Sequence, residues 1–116
     1  MCKFTGTFSA KGEDVSIGDD GEISIGITRP NLHIVISKIS SDIYRYVETG
    51  RGIGDNEPFT FEGVGSIIGD QLIFSIQGGN NNEIGYVKSC GCKELLIAKF
   101  HTNGTPGTER FKAKRI

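Results

Sequence analysis

The sequence predicts an all-β fold, built as one antiparallel up-and-down β-barrel of about 8–10 short strands, with a β-sandwich as the alternative. Apolar and polar residues alternate along many short segments, and turn residues separate these segments. The 116 residues include 17 Gly but only 3 Pro, which is typical of strands joined by tight turns. A chain of this length fits a single domain, residues 1–116.

The clearest element is a hairpin at Phe59–Gln77. Leu72, Phe74 and Ile76 recur at every second position, and Gly69-Asp70 supplies a turn between the two strands. Alternation of this kind predicts a hairpin with one buried face, which forms a wall of the core.

The N-terminal third predicts several shorter strands. Lys3–Ser9 and Glu22–Ile27 alternate, whereas Ala10–Asp14 is polar and contains a Gly, which favours a turn. Arg29-Pro30-Asn31 predicts a break in the chain.

Leu32–Ile39 is nearly continuously apolar, which is typical of a strand buried on both faces or lying at a subunit contact. A helix over Ile34–Val47 is the competing interpretation, but the β-branched and aromatic residues there favour strands. Burial of the second apolar face of this strand would require another copy of the chain, which predicts homo-oligomerisation.

The remaining segments continue the pattern of strands. Glycines and charged residues over Gly50–Pro58 predict a mobile loop. Further strands are expected at Ile43–Glu48, Ile84–Ser89 and Glu94–Phe100. The basic final segment, Glu109–Ile116, is interpreted as a charged edge strand that resists edge-to-edge association.

Composition narrows the functional classes. A formal net charge of −1 gives no electrostatic reason to expect nucleic-acid binding. No apolar run approaches the roughly 18 residues of a membrane span, and no signal peptide is visible. Three cysteines do not resemble a secreted disulfide framework. A cytoplasmic location is the default expectation, with secretion or lipid anchoring left open for a trimmed N-terminus.

The chemistry-bearing residues do not form a recognisable catalytic or metal site. Cys90-Gly91-Cys92 could bind a soft metal or form a strained disulfide, but a structural zinc site needs four ligands, so a Gly-containing turn is favoured. No pair of carboxylates stands out as acid and base. We therefore predict no catalytic residue, no metal and no cofactor.

The best candidate site combines tyrosines and arginines beside the predicted loop. Tyr44, Arg45, Tyr46 and Arg51 offer stacking and hydrogen-bonding groups, and His33 lies on the neighbouring apolar strand. They predict a non-enzymatic barrel that binds a small molecule. The alternatives are an interaction protein that acts through homo-oligomerisation, and an enzyme with a site near His33, Tyr44 and Arg45.

Gly6-Thr7-Phe8 resembles the G-x-W motif of calycin barrels, the group that includes lipocalins and avidins, with Phe in place of Trp. Those barrels carry an Arg or Lys on the last strand that packs across the aromatic residue of the first strand. In this sequence, the resemblance implies that Arg110 or Arg115 has this role. The resemblance implies an antiparallel barrel with an interior capable of holding a ligand. Closure then requires the first strand to pair with the last, with Phe8 in the core near Phe111.

Overall fold

A computed structural model shows eight antiparallel strands joined in sequence order into a closed barrel. The structure describes residues 4–17, 21–51, 59–78, 81–103 and 106–116. The strands are β1 (Gly6–Ile17), β2 (Ile23–Ser40), β3 (Ile43–Arg51), β4 (Phe59–Ile68), β5 (Gln71–Gly78), β6 (Asn81–Ser89), β7 (Glu94–His101) and β8 (Gly107–Arg115). The predicted up-and-down barrel is therefore confirmed.

The barrel closes through the first and last strands. Phe8 of β1 is paired with Arg115 of β8, and Val15 is paired with Thr108. The prediction of closure is correct, and the interpretation of the last segment as an edge strand is wrong. β8 is hydrogen-bonded to β7 on one side and to β1 on the other.

Two predicted interruptions are absent, which is why the barrel has eight strands rather than ten. β1 runs through Ala10–Asp14, and β2 runs through Pro30. Register shifts fall between Ala10 and Gly12 and between Gly12 and Asp14, in the stretch of β1 that faces Pro30. A bulge accommodates an extra residue in β1. Pro30 has no N–H to donate, but an interrupted ladder of hydrogen bonds tolerates it. Neither the polar stretch of β1 nor Pro30 of β2 therefore ends its strand.

Within one chain, the apolar run Leu32–Ile39 is buried on one face only, so the predicted burial on both faces is wrong, and the alternative of a subunit contact stays a prediction. Leu32, Ile34 and Ile36 are buried, whereas Val35 and Ile39 are exposed. A closed barrel has a single buried face, so alternate residues of every strand must face outward.

Glycines make room for a buried aromatic ring in the core. Phe74 is buried and stacks on Tyr46 with ring centroids 4.3 Å apart. A Cβ atom at Gly85 would lie 2.5 Å from two ring carbons of Phe74, and one at Gly65 would overlap the backbone of Ile73 and the Cβ of Phe74. Inward-facing glycines on β4 and β6 therefore allow an aromatic residue of β5 to fill the lumen.

The described turns fit their residues. Gly69 has a φ of +63° in the predicted Gly69-Asp70 turn, and Asp42 has a φ of +63° between β2 and β3. Glycine and aspartate are among the residues that adopt this left-handed conformation most readily. The predicted mobile loop at Gly50–Pro58 lies largely outside the described residues. No helix with the length and hydropathy of a membrane span occurs in the described part of the chain.

Candidate functional site

Toward one end of the barrel, the inward-facing positions change from apolar to ionisable residues. On β7 the series Leu95, Ile97 is followed by Lys99, and all three are buried. The same change occurs on three other strands, which contribute carboxylates. Four buried residues form what we call the Lys99 cluster: Glu48 of β3, Glu83 of β6, Lys99 of β7 and Glu109 of β8.

The ammonium group of Lys99 lies at the centre of this cluster. Its Nζ donates a hydrogen bond of 2.9 Å to Glu48 Oε2 and lies 3.2 Å from Glu109 Oε1 and 3.8 Å from Glu83 Oε1. The side chains of Lys99 and Glu48 have no exposed surface. Burying charges is unfavourable unless they are paired and hydrogen-bonded, and these distances supply the pairing.

Tyr46 connects the cluster to the aromatic core. Its hydroxyl donates a short hydrogen bond of 2.6 Å to Glu48 Oε1, as expected for a donor facing a carboxylate. Burial raises the pKa of Tyr46 well above its ordinary value of 10.0, and the nearby charge of Glu48 raises it further. The phenol is therefore held in its neutral, hydrogen-bond-donating form.

Aromatic and aliphatic side chains surround the charges. Lys99 Nζ lies 5.1 Å from the ring centroid of Phe61 and 5.6 Å from that of Phe111, within the range of cation–π attraction. Leu32 of β2 is buried nearby, and the rings of Phe59 and Phe61 lie 5.3 Å apart. This end of the lumen thus offers both apolar surface and strong hydrogen-bonding groups.

His101 lies one inward position beyond Lys99 on β7. Its Nε2 is 3.8 Å from Glu83 Oε2, and a quarter of its side chain is exposed. A Cβ atom at the facing Gly107 would lie 3.0 Å from the imidazole, so this glycine gives the ring its place. His101 is therefore partly exposed to solvent and lies next to Glu83, a buried member of the Lys99 cluster.

The opposite end of the lumen is apolar and is closed by one arginine. The guanidinium carbon of Arg115 lies 4.8 Å from the ring centroid of the buried Phe8. Its Nη1 also donates a 2.7 Å hydrogen bond to the backbone oxygen of Thr5. The calycin resemblance implied that either Arg110 or Arg115 packs across the aromatic residue of the first strand. Arg115 does so, whereas Arg110 is exposed on the outer face.

The residues predicted as a site are divided between the two faces of the barrel. Tyr46 is buried inside and Tyr44 is half-buried on the same inward face. Arg45 is exposed and pairs with Glu62 at 3.1 Å, and His33 is exposed on the outer surface. The backbone of Arg51 pairs with Asn31, and its side chain lies outside what the structure describes. The structure does not bring His33, Tyr44 and Arg45 together.

The sequence reasoning missed the Lys99 cluster, although a signal for it was present. In β7 the period-two pattern Leu95, Ile97, Lys99 places the lysine on the apolar face. The same pattern places Glu109 on the face of Phe111 and Ala113. A charged residue in phase with the buried positions of a strand indicates a buried charge, and several such residues in one closed barrel can meet.

The cysteine pair forms the expected turn. Gly91 has a φ of +76°, and the amide of Cys90 donates to the backbone oxygen of Glu94 at 3.0 Å. Cys90 is a free, exposed thiol, whereas Cys92 is disulfide-bonded, so the two are not joined to each other. Within the described ranges, no three His, Cys, Asp or Glu side chains are placed to share a metal ion.

The fold defines the chain as a small closed antiparallel β-barrel. No protein-family model matches the sequence, and no curated protein matches it. A redesigned beta barrel, b11L5F_LGL, is similar, with a TM-score of 0.70 and 17% identity over 100% of this chain and 97% of that chain.

Two further structures extend the comparison. The redesigned beta barrel mFAP0, bound to DFHBI, has a TM-score of 0.71 and 16% identity over 96% of this chain and 97% of that chain. The S-type phycobiliprotein lyase CPES from Guillardia theta has a TM-score of 0.59 and 10% identity over 97% of this chain and 88% of that chain. At these identities the similarity shows the barrel fold alone.

Proposed function

We propose that this protein is a non-enzymatic barrel that binds a small organic molecule at the end of the lumen where the Lys99 cluster lies. The ligand has an apolar body, which packs on the aromatic wall, and a polar head that hydrogen-bonds with the cluster. The observation that carries the proposal is the burial of three carboxylates and an ammonium group in the lumen of a small barrel.

Stability alone gives little reason for such a cluster. Well-packed apolar residues of similar volume often stabilise a protein as much as a buried ion pair does, or by about 1–4 kcal/mol more. Apolar walls with a few convergent polar groups are typical of ligand sites, and the mouths of barrels are common locations for them. The similar barrel mFAP0 is bound to the small molecule DFHBI, which supports the use of this fold for binding.

The test is a ligand screen on the intact protein by thermal shift and native mass spectrometry. The probes are DFHBI, a series of alkyl amines and a series of fatty acids. A ligand at 100 times its Kd stabilises the folded state by about 2.7 kcal/mol, which is a readily measured rise in Tm. We expect at least one series to raise the Tm, with a bound mass at one ligand per chain.

Matched variants show where the ligand binds. Glu109→Gln changes the charge of the cluster at almost constant shape, so it should change the ligand-induced shift. Leu95→Met, a volume-conserving change in the apolar half, should leave that shift unchanged. If no series binds, or if both variants respond like the unmodified protein, the proposed site is wrong.

Homo-oligomerisation is a second proposal, supported by the exposure of Val35 and Ile39 on the outer face of β2. Light scattering over a range of concentrations tests it, and a constant monomer mass would contradict it. The relationship to calycin barrels also stays a proposal, supported by the contact between Phe8 and Arg115.

A further inference from the structure

A second surface with binding character lies on the outside of the barrel, where β6 and β7 pair. Tyr86 is opposite Ala98, and Ile84 is opposite Phe100, in the register of these strands. Four large apolar side chains are exposed in this region: Ile84 (38%), Tyr86 (37%), Leu96 (42%) and Phe100 (44%). We call these four residues, together with Ala98, the outer patch.

The outer patch is a shallow, open surface rather than a deep cleft. Two grooves of about 420 and 490 Å³ share Gln71, Tyr86 and Ala98 in their walls. The small side chain of Ala98 leaves a depression between larger neighbours. The rings of Tyr86 and Phe100 meet edge to face with centroids 5.6 Å apart, which fixes one wall. A contiguous exposed apolar surface of this kind is typical of an interaction site.

Basic residues border the patch on one side. Lys88 is opposite Leu96, and Leu96 is opposite Lys112. Arg110 is opposite Ala98 and also lines the groove. Lys112 has a partner in Glu94 at 3.7 Å, but both groups are partly exposed and such a pair is weak. Arg110 is also opposite Glu13 of β1 in the register, so cations outnumber acidic residues by three to two along this border.

We infer that the outer patch binds an acidic peptide segment of a partner protein. Aromatic or aliphatic side chains of the peptide occupy the groove beside Tyr86 and Leu96, and its carboxylates face Lys88, Arg110 and Lys112. Tyrosine and arginine are residue types that contribute strongly to binding, and Tyr86 and Arg110 both line the groove. This function is separate from ligand binding inside the barrel.

Charge distinguishes this partner from a second copy of the chain. In a two-fold symmetric dimer the same patch is present on both sides of the interface. Both copies would then contribute the same excess of cations to one interface, and like charges at an interface are unfavourable. An acidic segment meets the same border with the opposite charge, so the charge pattern favours it.

The experiment selects peptides from a phage-displayed library of random 12-residue sequences, using the full-length protein as bait. The best peptides are then synthesised with a fluorescent label, and their Kd values are measured by anisotropy at low and high salt. We expect them to be rich in Asp, Glu and large apolar residues. Their affinity should fall as the salt concentration rises, because exposed charges are screened.

Three variants locate the binding surface. Leu96→Gln should weaken binding by about tenfold, the effect of losing an apolar anchor. Lys88→Glu should weaken it severalfold and reduce its dependence on salt. Ile23→Gln replaces an exposed apolar residue on β2, which lies three strands from β7 and four from β6 in the closed barrel order, and should leave the Kd unchanged.

The inference is overturned if the library yields no binding peptide, or if the selected peptides are basic. It is equally overturned if Leu96→Gln and Lys88→Glu bind the peptides as the unmodified protein does. Because Lys88 is exposed, its variant folds even if Leu96→Gln does not. If the patch instead binds another copy of the chain, light scattering would show a dimer, and Leu96→Gln would convert that dimer to monomers.

Discussion

The two halves of the barrel interior are built by the same strands but are lined in different ways. In one half, inward positions hold apolar residues such as Phe8, Val87 and Leu95, all buried, and Arg115 covers the end. In the other half, the next inward positions along several strands hold Glu48, Glu83, Lys99 and Glu109. We call these regions the apolar half and the polar half.

The two halves are stabilised in different ways. Removing apolar surface from water at about 25 cal/mol per Å² stabilises the apolar half. The polar half must overcome the desolvation of four ionisable groups, and it does so only through close pairing. The interior therefore consists of one half stabilised by apolar burial and one half that holds paired, buried charges.

The largest expected effect comes from removing the central cation of the polar half. Lys99→Met leaves three carboxylates buried close together, and breaking a buried ion pair in this way costs about 3–5 kcal/mol. Urea unfolding measures the loss. Lys112→Met is the control, because Lys112 is half-exposed and its pairing with Glu94 contributes little, so stability should change by less than about 1 kcal/mol.

A compensated variant shows that charge, rather than packing, causes this loss. Adding Glu48→Gln and Glu109→Gln to Lys99→Met removes two of the three carboxylates at nearly constant volume. Part of the lost free energy of unfolding should return. If the triple variant is as unstable as Lys99→Met, the ion-pair explanation of the polar half fails.

A comparable loss is expected in the apolar half from Phe8→Ala. Phe8 has no exposed surface, and truncation of a buried phenylalanine costs about 3–5 kcal/mol. Phe100→Ala, at an exposed ring, should cost far less. Phe8→Ala should also leave ligand affinity in the polar half unchanged once the protein is folded. A change in affinity as large as that of Glu109→Gln would show that the two halves are not independent.

A smaller loss is expected where the two halves meet. Gly85→Ala places a Cβ atom 2.5 Å from the ring of Phe74, which is held between Tyr46 and the glycine-bearing strands. Overpacking of this kind costs about 1–3 kcal/mol. Gly69→Ala is not a suitable control because Gly69 has a positive φ, so Ser75→Ala on the exposed face of β5 is used instead. Equal stabilities of the two variants would contradict the packing argument.

Much of the fold could be predicted because a barrel follows from local patterns. Alternation predicts the inward residues of β4 and β5, and Gly69 predicts their turn. The apparent breaks at Ala10–Asp14 and Arg29–Asn31 misled the prediction, because a bulge lets a strand tolerate glycine and proline when its neighbours hold it in place.

The candidate site was harder to predict because it depends on which strands meet. Of the predicted site residues, Tyr46 reaches the cluster, and Tyr44 lies on the same inward face of β3. Glu48 and Lys99 are 51 residues apart in sequence, and only barrel closure brings them within 2.9 Å. Alternation places Lys99 and Glu109 on the apolar faces of their strands, but only the closed fold shows that these buried charges meet.

The smallest expected effect is a pH dependence of the free energy of unfolding, caused by Tyr46 at the boundary between the two halves. Tyr46 is neutral in the folded protein, and burial beside Glu48 raises its pKa above 10.0. The unfolded chain loses this proton near pH 10, so above that pH the unfolded state binds fewer protons and stability falls as pH rises. Below pH 10 the phenol is neutral in both states, and this pH dependence is absent.

Tyr46→Phe removes both the titrating group and its hydrogen bond to Glu48. At neutral pH, loss of a hydrogen bond to a charged group should lower stability by about 1.5 kcal/mol, near the low end of such effects, because Lys99 still pairs with Glu48. Above pH 10 the difference between the two proteins should shrink, since only the unmodified chain is destabilised by ionisation of this phenol. Urea unfolding at pH 7, 9 and about 10.5 measures the difference directly. If the difference in free energy of unfolding between the two proteins is constant or widens with pH, the folded protein does not hold Tyr46 neutral. The polar half would then extend into the aromatic core.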